Sequence, residues 1–303
     1  MKILLFTSQD ISRKLTEFFL RKEGIELTVV TQVTRRDQIY GYESTTSFCA
    51  EHEITCWLPR RLDEDFVEKV RVLDPDIIVA AYFPKIFSKA LIEIPRLGAI
   101  NVHPGDLPFY RGTLTIPWAI LNGEKELTVT MHYIDSKVDS GDVIAKKRSP
   151  IHSDETGFEL YLRAMHLAAD LVMESFDDLV KGRLGSEPQR GYGSYYNQME
   201  RRYHINWQQS CEQLKRLVRV HAKPYLPAYT YLVNRCIYIN KVSFYESGGA
   251  SAKGPGFITK IFPDKRFAVA CADGWILVED YDVYPPFGDE GFALHFFEGS
   301  HFE

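Results

Sequence analysis

A chain of 303 residues, 45% hydrophobic and 25% charged, has room for two domains and the balance of an ordinary globular fold. Its formal charge of −5 offers no basic footprint for a polyanion, so nucleic acid is not an expected partner. Cys49, Cys56, Cys211, Cys236 and Cys271 are odd in number and contain no Cys-x-x-Cys pair, which points to reduced, packed thiols rather than a disulfide framework or a zinc site. The apolar run after Met1 ends too early for a signal peptide, and no stretch reaches the length of a membrane span. A cytoplasmic protein with no membrane partner is expected.

Residues 2–7 read as a buried first strand, 11–22 as a helix and 25–33 as a second strand. A short helix at 45–51, a short strand at 54–57 and a helix at 63–72 follow. The continuous apolar run at 77–82, opened by Pro75-Asp76, suits a central parallel strand covered on both faces. Further strands are expected at 99–103 and 128–134. Strands alternating with helices predict an α/β fold with a doubly wound, mainly parallel sheet. Thr156-Gly157-Phe158-Glu159 is a capping box that opens a long amphipathic helix, stopped at Lys181-Gly182. A catalytic domain over 1–185, a linker over 186–204 that also lines something, and a smaller, mostly β domain over 205–303 complete the expected layout. The second domain is read from a helix at 211–220 and short strands at 237–245, 256–262, 267–271 and 275–280.

The turn after the first strand, Thr7-Ser8-Gln9-Asp10-Ile11-Ser12, has no glycine, so a dinucleotide site is not supported. Chemistry concentrates in Asn101-Val102-His103-Pro104-Gly105, answered by Val138-Asp139-Ser140-Gly141-Asp142. Two-residue periodicity sends the Asn101 and His103 side chains the same way, and Pro104, Gly105 and Pro108 fix the loop behind them. An amide, an imidazole and a carboxylate on neighbouring loops are the groups that acyl transfer to an amine requires. His132, on a strand of alternating polarity, reads instead as a packed or surface histidine. Asp142 is given no chemistry.

This arrangement resembles the formyltransferases that use N10-formyltetrahydrofolate, with Asn101, His103 and Asp139 on the positions of their catalytic triad. Gly105-Asp106 departs from the Ser-Leu common there, which puts the surrounding contacts in question. The resemblance implies that Asn101 and His103 polarise the formyl carbonyl. Asp139 would orient His103 or a water and help take the amine's proton, with no metal needed. The folate is expected against Tyr82, Phe83, Pro84, Lys85 and Ile86, beyond the carboxyl end of a strand, and against Asp135 and Val138.

The acceptor is read by elimination. Residues 205–303 hold ten Lys and Arg against eleven Asp and Glu, a poor surface for RNA. Tyr195, Tyr196, Arg201 and Arg202 of the linker, with Tyr110 and Arg111, offer aromatic faces and cations to a nucleotide diphosphate. The expected acceptor is therefore a nucleotide-linked amino sugar; the stretch Pro224–Tyr231 resembles the corresponding part of the sugar N-formyltransferases, which implies the 4-amino-4,6-dideoxy type used in surface polysaccharide such as lipopolysaccharide O-antigen. Methionyl-tRNA formyltransferase and formyltetrahydrofolate hydrolase are the alternatives. A homodimer is expected from the resemblance and from the aromatic tail at 292–302.

Overall fold

The run Ile3-Leu4-Leu5-Phe6 becomes the centre of a seven-stranded sheet in the computed structural model, which describes residues 1–32, 44–197, 203–233, 235–246, 254–284 and 296–302. Its elements are β1 (Lys2–Thr7), α1 (Asp10–Leu20), β2 (Glu26–Val30), α2 (Thr45–Glu51), β3 (Thr55–Trp57), α3 (Glu64–Leu73), β4 (Ile77–Ala81), α4 (Lys89–Ile92) and β5 (Ala99–His103). There follow β6 (Arg111–Gly112), α5 (Thr115–Asn122), β7 (Glu126–Tyr133), β8 (Val143–Pro150), α6 (Gly157–Val180) and β9 (Tyr195–Tyr196). The sheet order is β3-β2-β1-β4-β5-β7-β8, parallel from β3 to β5 and antiparallel at β7 and β8. The doubly wound, mainly parallel sheet is as expected.

Strand periodicity sorts the core. Ile3, Leu5, Ile77, Val79, Ile100 and Val102 pack on one face with Leu15 and Phe19 of α1 and Val172 and Phe176 of α6. Leu4, Phe6, Ile78 and Ala80 face the other way, onto Phe66, Val70 and Phe87. At roughly 1.5–3 kcal/mol per large side chain removed from water, this two-sided burial is the main term holding β1 and β4 in register. The strand order reverses beside β1. The carboxyl ends of β1 and β4, paired as Thr7 with Ala81, therefore open the crevice in which α/β sheets hold ligands.

The chain divides into two compact units. One comprises Met1–Ile116, Lys125–Pro150 and Tyr161–Asn197; the other comprises Pro117–Glu124, Ile151–Leu160 and Gln198–Glu303. Segment 186–197 thus lies with the first unit: Glu187 bridges Val143, and β9 pairs with β6. The second unit holds α7 (Cys211–Val220), β10 (Ala228–Leu232), β11 (Arg235–Phe244), β12 (Ile258–Ile261), β13 (Phe267–Ala270) and β14 (Trp275–Tyr284). Its five strands form one antiparallel sheet in the order β10-β11-β14-β13-β12. A complete capping box, Ser210 with Gln213, starts α7. Trp207 stacks on Phe302 in the core and donates Nε1–H to Thr230 Oγ1 at 3.1 Å.

One expectation fails here. Cys211 and Cys271 are joined as a disulfide, their Cα atoms 6.0 Å apart, while Cys49, Cys56 and Cys236 are free. Asp273, in the turn between β13 and β14, accepts the Cys211 N–H and brings the start of α7 against the Cys271 sulfur, 60 residues away in sequence. Of the aromatic tail, Phe296 and Phe302 are buried in the second unit's core, while Phe297 is 56% exposed. Residues 292–295 lie outside the described residues. Among the described residues, no helix is long and apolar enough to cross a membrane.

Candidate functional site

Asn101 and His103 stand at the carboxyl end of β5 while Val102 between them enters the core, as period two requires. On the antiparallel neighbour β7, His132 is the cross-strand partner of Asn101 and Thr130 of His103. Thr130 Oγ1–H donates to the Gly105 carbonyl at 2.6 Å and Thr115 Oγ1–H to the Pro104 carbonyl at 2.5 Å, pinning the loop behind His103. Gly105 is obligatory: a Cβ there would stand 2.5 Å from the Tyr110 carbonyl oxygen and 2.7 Å from His103 Nε2. Asp106 forms an ion pair with Lys146 at 2.5 Å, and Lys146 also reaches the Leu107 carbonyl. The loop that departs from the family pattern thus has its own anchor.

Asp139 arrives from the β7–β8 connection. Both it and Tyr110 have left-handed backbones, φ 50 and 58, conformations that a side chain makes costly by roughly 1–2 kcal/mol. Gly141 permits the turn, since a Cβ on it would lie 1.9 Å from the Tyr133 carbonyl oxygen. Asp135 stabilises the same loop, accepting from Lys137 N–H at 2.9 Å and Ser140 Oγ–H at 2.7 Å.

The carboxylate sits between two imidazoles: His103 Nδ1 is 3.5 Å from Oδ2 and His132 Nε2 is 3.6 Å from Oδ1. Gly112 N–H donates to Oδ2 at 2.8 Å. His103 Nε2–H donates to the Tyr110 carbonyl at 2.6 Å and His132 Nδ1–H to the Tyr133 carbonyl at 2.7 Å. A carbonyl can only accept, so each neutral ring keeps its proton there and turns a bare nitrogen toward Asp139. His132 Nε2 then accepts from Asn101 Nδ2–H at 3.1 Å, which fixes the amide's orientation and leaves its second N–H for a ligand oxygen.

Burial pushes His103 below the ordinary imidazole range, against the pull of Asp139, so the ring is held neutral. Burial would raise Asp139, but His103, His132 and the Gly112 N–H outweigh it and hold the carboxyl at about 2. The cluster sets a carboxylate beside two imidazoles and one oriented N–H. It can polarise a carbonyl and take a proton from an attacking amine.

Of the expected folate contacts, Tyr82 is held by Ser8 Oγ–H on its carbonyl and by an edge contact with Tyr161. Phe83 packs edge-on against Phe6, and Lys85 Nζ–H donates to the Pro59 and Arg60 carbonyls. These two side chains are spent on the fold. Pro84 is exposed, and Ile86 and Val138 leave apolar surface bare at 81% and 44% exposure. On the acceptor side, Tyr110 and Tyr196 stack at 4.9 Å. Arg111 is tied to two neutral partners, Gln189 and the Tyr195 hydroxyl, the latter at 3.2 Å. Arg201 and Arg202 lie outside the described residues.

His132 was undervalued because strand alternation alone assigns it to packing; its pairing with Asn101 appears only once β5 and β7 are set side by side. Gln189 carried no sequence signal beyond its place in a polar segment.

Residues 1–175 match the formyl transferase family, and residues 199–283 match the formyl transferase C-terminal domain. The chain belongs to the formyl transferase family. Its relatives include the methionyl-tRNA formyltransferase of Ruminiclostridium cellulolyticum, 30% identical over 92% of this chain and 91% of that one. The enzyme of the same name from Alkaliphilus metalliredigens is 37% identical over 84% and 83%. In structure, an N-formyltransferase from Helicobacter canadensis in complex with folinic acid and dTDP-3-aminofucose superposes with a TM-score of 0.72. It is 18% identical and covers 93% of this chain and 100% of that one, a likeness of fold. This formyltransferase therefore carries its Asn101–His103–Asp139–His132 cluster, with both imidazoles buried, in the unit that contains the family's N-terminal domain.

Proposed function

We propose that the formyltransferase moves the formyl group of N10-formyltetrahydrofolate to a primary amine at the Asn101–His103–Asp139 cluster. The observation that carries this is the shared carboxylate: Asp139 lies 3.5 Å from His103 Nδ1 and 3.6 Å from His132 Nε2, and His132 pairs with the Asn101 amide. The folate supplies the formyl carbon. The amine attacks the formyl carbon while the second Asn101 N–H polarises the formyl oxygen and His103 Nδ1 receives the amine's proton. Collapse of the tetrahedral intermediate breaks the bond from that carbon to N10, and the imidazolium, stabilised by Asp139 and the Tyr110 carbonyl, returns its proton to N10 as tetrahydrofolate leaves. The exposed apolar surface of Ile86 and Val138 suits the flat pterin, and no step calls on a metal.

For the acceptor, the names and coverage of the sequence relatives favour the α-amine of methionyl-tRNA over the sugar expected from composition. A nucleotide-linked amino sugar is kept as the second reading for a specific reason. The second unit's Lys215, Arg216, Lys223, Lys241 and Arg266 are all paired with carboxylates, which weakens it as an RNA surface. Incubation with N10-formyltetrahydrofolate and either methionyl-tRNA or a panel of nucleotide amino sugars, read by mass, separates them. Formylmethionyl-tRNA supports the first reading and a formylated sugar the second. Formate release with neither product would contradict both and indicate a hydrolase.

A further inference from the structure

Asp139 needs something to hold it, because its left-handed backbone is costly and its carboxylate must stay between two rings. The polar segment after α6 supplies it. Gln189 Nε2 donates one N–H to the carbonyl of Asp139 itself at 3.0 Å and the other to the carbonyl of Gly141 at 2.8 Å. Its Oε1 accepts from Arg111 Nε–H at 3.0 Å and Nη2–H at 2.5 Å. Arg111 is braced in turn by the Tyr195 hydroxyl and by the β6–β9 pairing. The next residue, Gly112, donates its N–H to the Asp139 carboxylate.

The hydrogen bonds close a ring: Asp139 backbone, Gln189 side chain, Arg111 side chain, Gly112 backbone, Asp139 carboxylate. Only a primary amide on a two-carbon stem fills this place. Glutamate would set lone pairs against two carbonyls, lysine and arginine cannot accept, and asparagine is one methylene short.

We propose that Gln189 is a positioning residue of the formyl-transfer site, clamping the Asp139 loop to Arg111 so that one hydrogen-bonded ring sets both the main chain and the carboxylate of Asp139. This rests on the reading of Asp139 as part of the catalytic cluster. Misplacement of a reacting group by about 1 Å costs on the order of a hundredfold in rate, so a side chain that fixes Asp139 acts chiefly on kcat.

The test compares Gln189→Ala, Gln189→Glu and Asp139→Asn with the wild type. It measures kcat and folate KM with whichever of methionyl-tRNA or nucleotide amino sugar the wild type formylates. Thermal melting and imidazole titration by ¹⁵N NMR complete the set. Gln189→Glu, nearly isosteric, keeps the acceptor for Arg111 and guards against a variant that fails to fold. Both Gln189 variants are expected to lose about tenfold or more in kcat at unchanged folate KM. Their His103 titration moves lower, as in Asp139→Asn, because the carboxylate has withdrawn. A Gln189→Glu enzyme within twofold of wild type in kcat overturns the clamp. So does a His103 titration that stays put while only melting falls. Full activity in Asp139→Asn would instead overturn the catalytic reading beneath it, an outcome distinct from failure at Gln189.

Discussion

The two units handle charge in opposite ways. In the first, Asp139 is largely shielded between the His103 and His132 rings, which with the Gly112 N–H hold its carboxyl at about 2. In the second, Lys215 with Asp154, Arg216 with Glu212 and Lys241 with Glu279 pair at 2.7–2.9 Å on the surface. A desolvated charge facing proton acceptors is poised for chemistry, whereas exposed pairs contribute about 0–1 kcal/mol each and are screened by salt. On the proposed reading, reactivity is expected at the Asp139 cluster of the first unit.

That contrast breaks first at Asn101. Asn101→Ala removes the oriented N–H, and kcat is expected to fall a hundredfold or more with folate affinity preserved; steady-state kinetics with folate-binding titration check it. Gly141→Ala puts a methyl into the Tyr133 carbonyl and displaces the Asp139 loop. It should cost about 1–3 kcal/mol in urea unfolding and lower kcat severalfold to tenfold.

Acid sharpens the comparison. Asp139 sits at about 2 in the folded protein against an ordinary 3.8, and His103 lies below its ordinary 6.5. In both groups the unfolded chain binds protons more readily. Their stabilisation is complete above the unfolded values and drains as pH falls, from about 6.5 for His103 and between about 4 and 2 for Asp139. The Asp139 share is about 2 kcal/mol, so Asp139→Asn should flatten the pH dependence of urea unfolding over that lower window.

The smallest effect is expected in the second unit. Lys215→Ala or Arg216→Ala should leave kcat within twofold and stability within about 1 kcal/mol. If methionyl-tRNA is the acceptor, its KM should rise steeply with salt, and neither variant should change the slope by the full unit expected of a phosphate contact. A slope lowered by about one in either variant would move that surface into the RNA interface.

Most of the sheet and the placing of Asn101, His103 and Asp139 near one another were legible in sequence because their signals are local. Two-residue spacing put Asn101 and His103 on one side of β5, and Gly141 marked the turn that carries Asp139. The contacts of Gln189 and His132 were not, because they join distant segments. Gln189 meets Arg111 across 78 residues and His132 meets Asn101 across 31. β8 was missed because half-exposed Lys146, Lys147 and Arg148 break an apolar pattern, as edge strands do. β10 was missed because its small residues, Ala228 and Thr230, face the core while the tyrosines between them face away.

The central claim is that formyl transfer depends on the Asp139 charge at the heart of the first unit. A single-turnover measurement on Asp139→Asn tests it most directly, with N10-formyltetrahydrofolate prebound and acceptor added. The account predicts a folded protein that binds folate normally and transfers its formyl group at least a thousandfold more slowly. An equally folded Asp139→Asn enzyme transferring at the wild-type rate would contradict it.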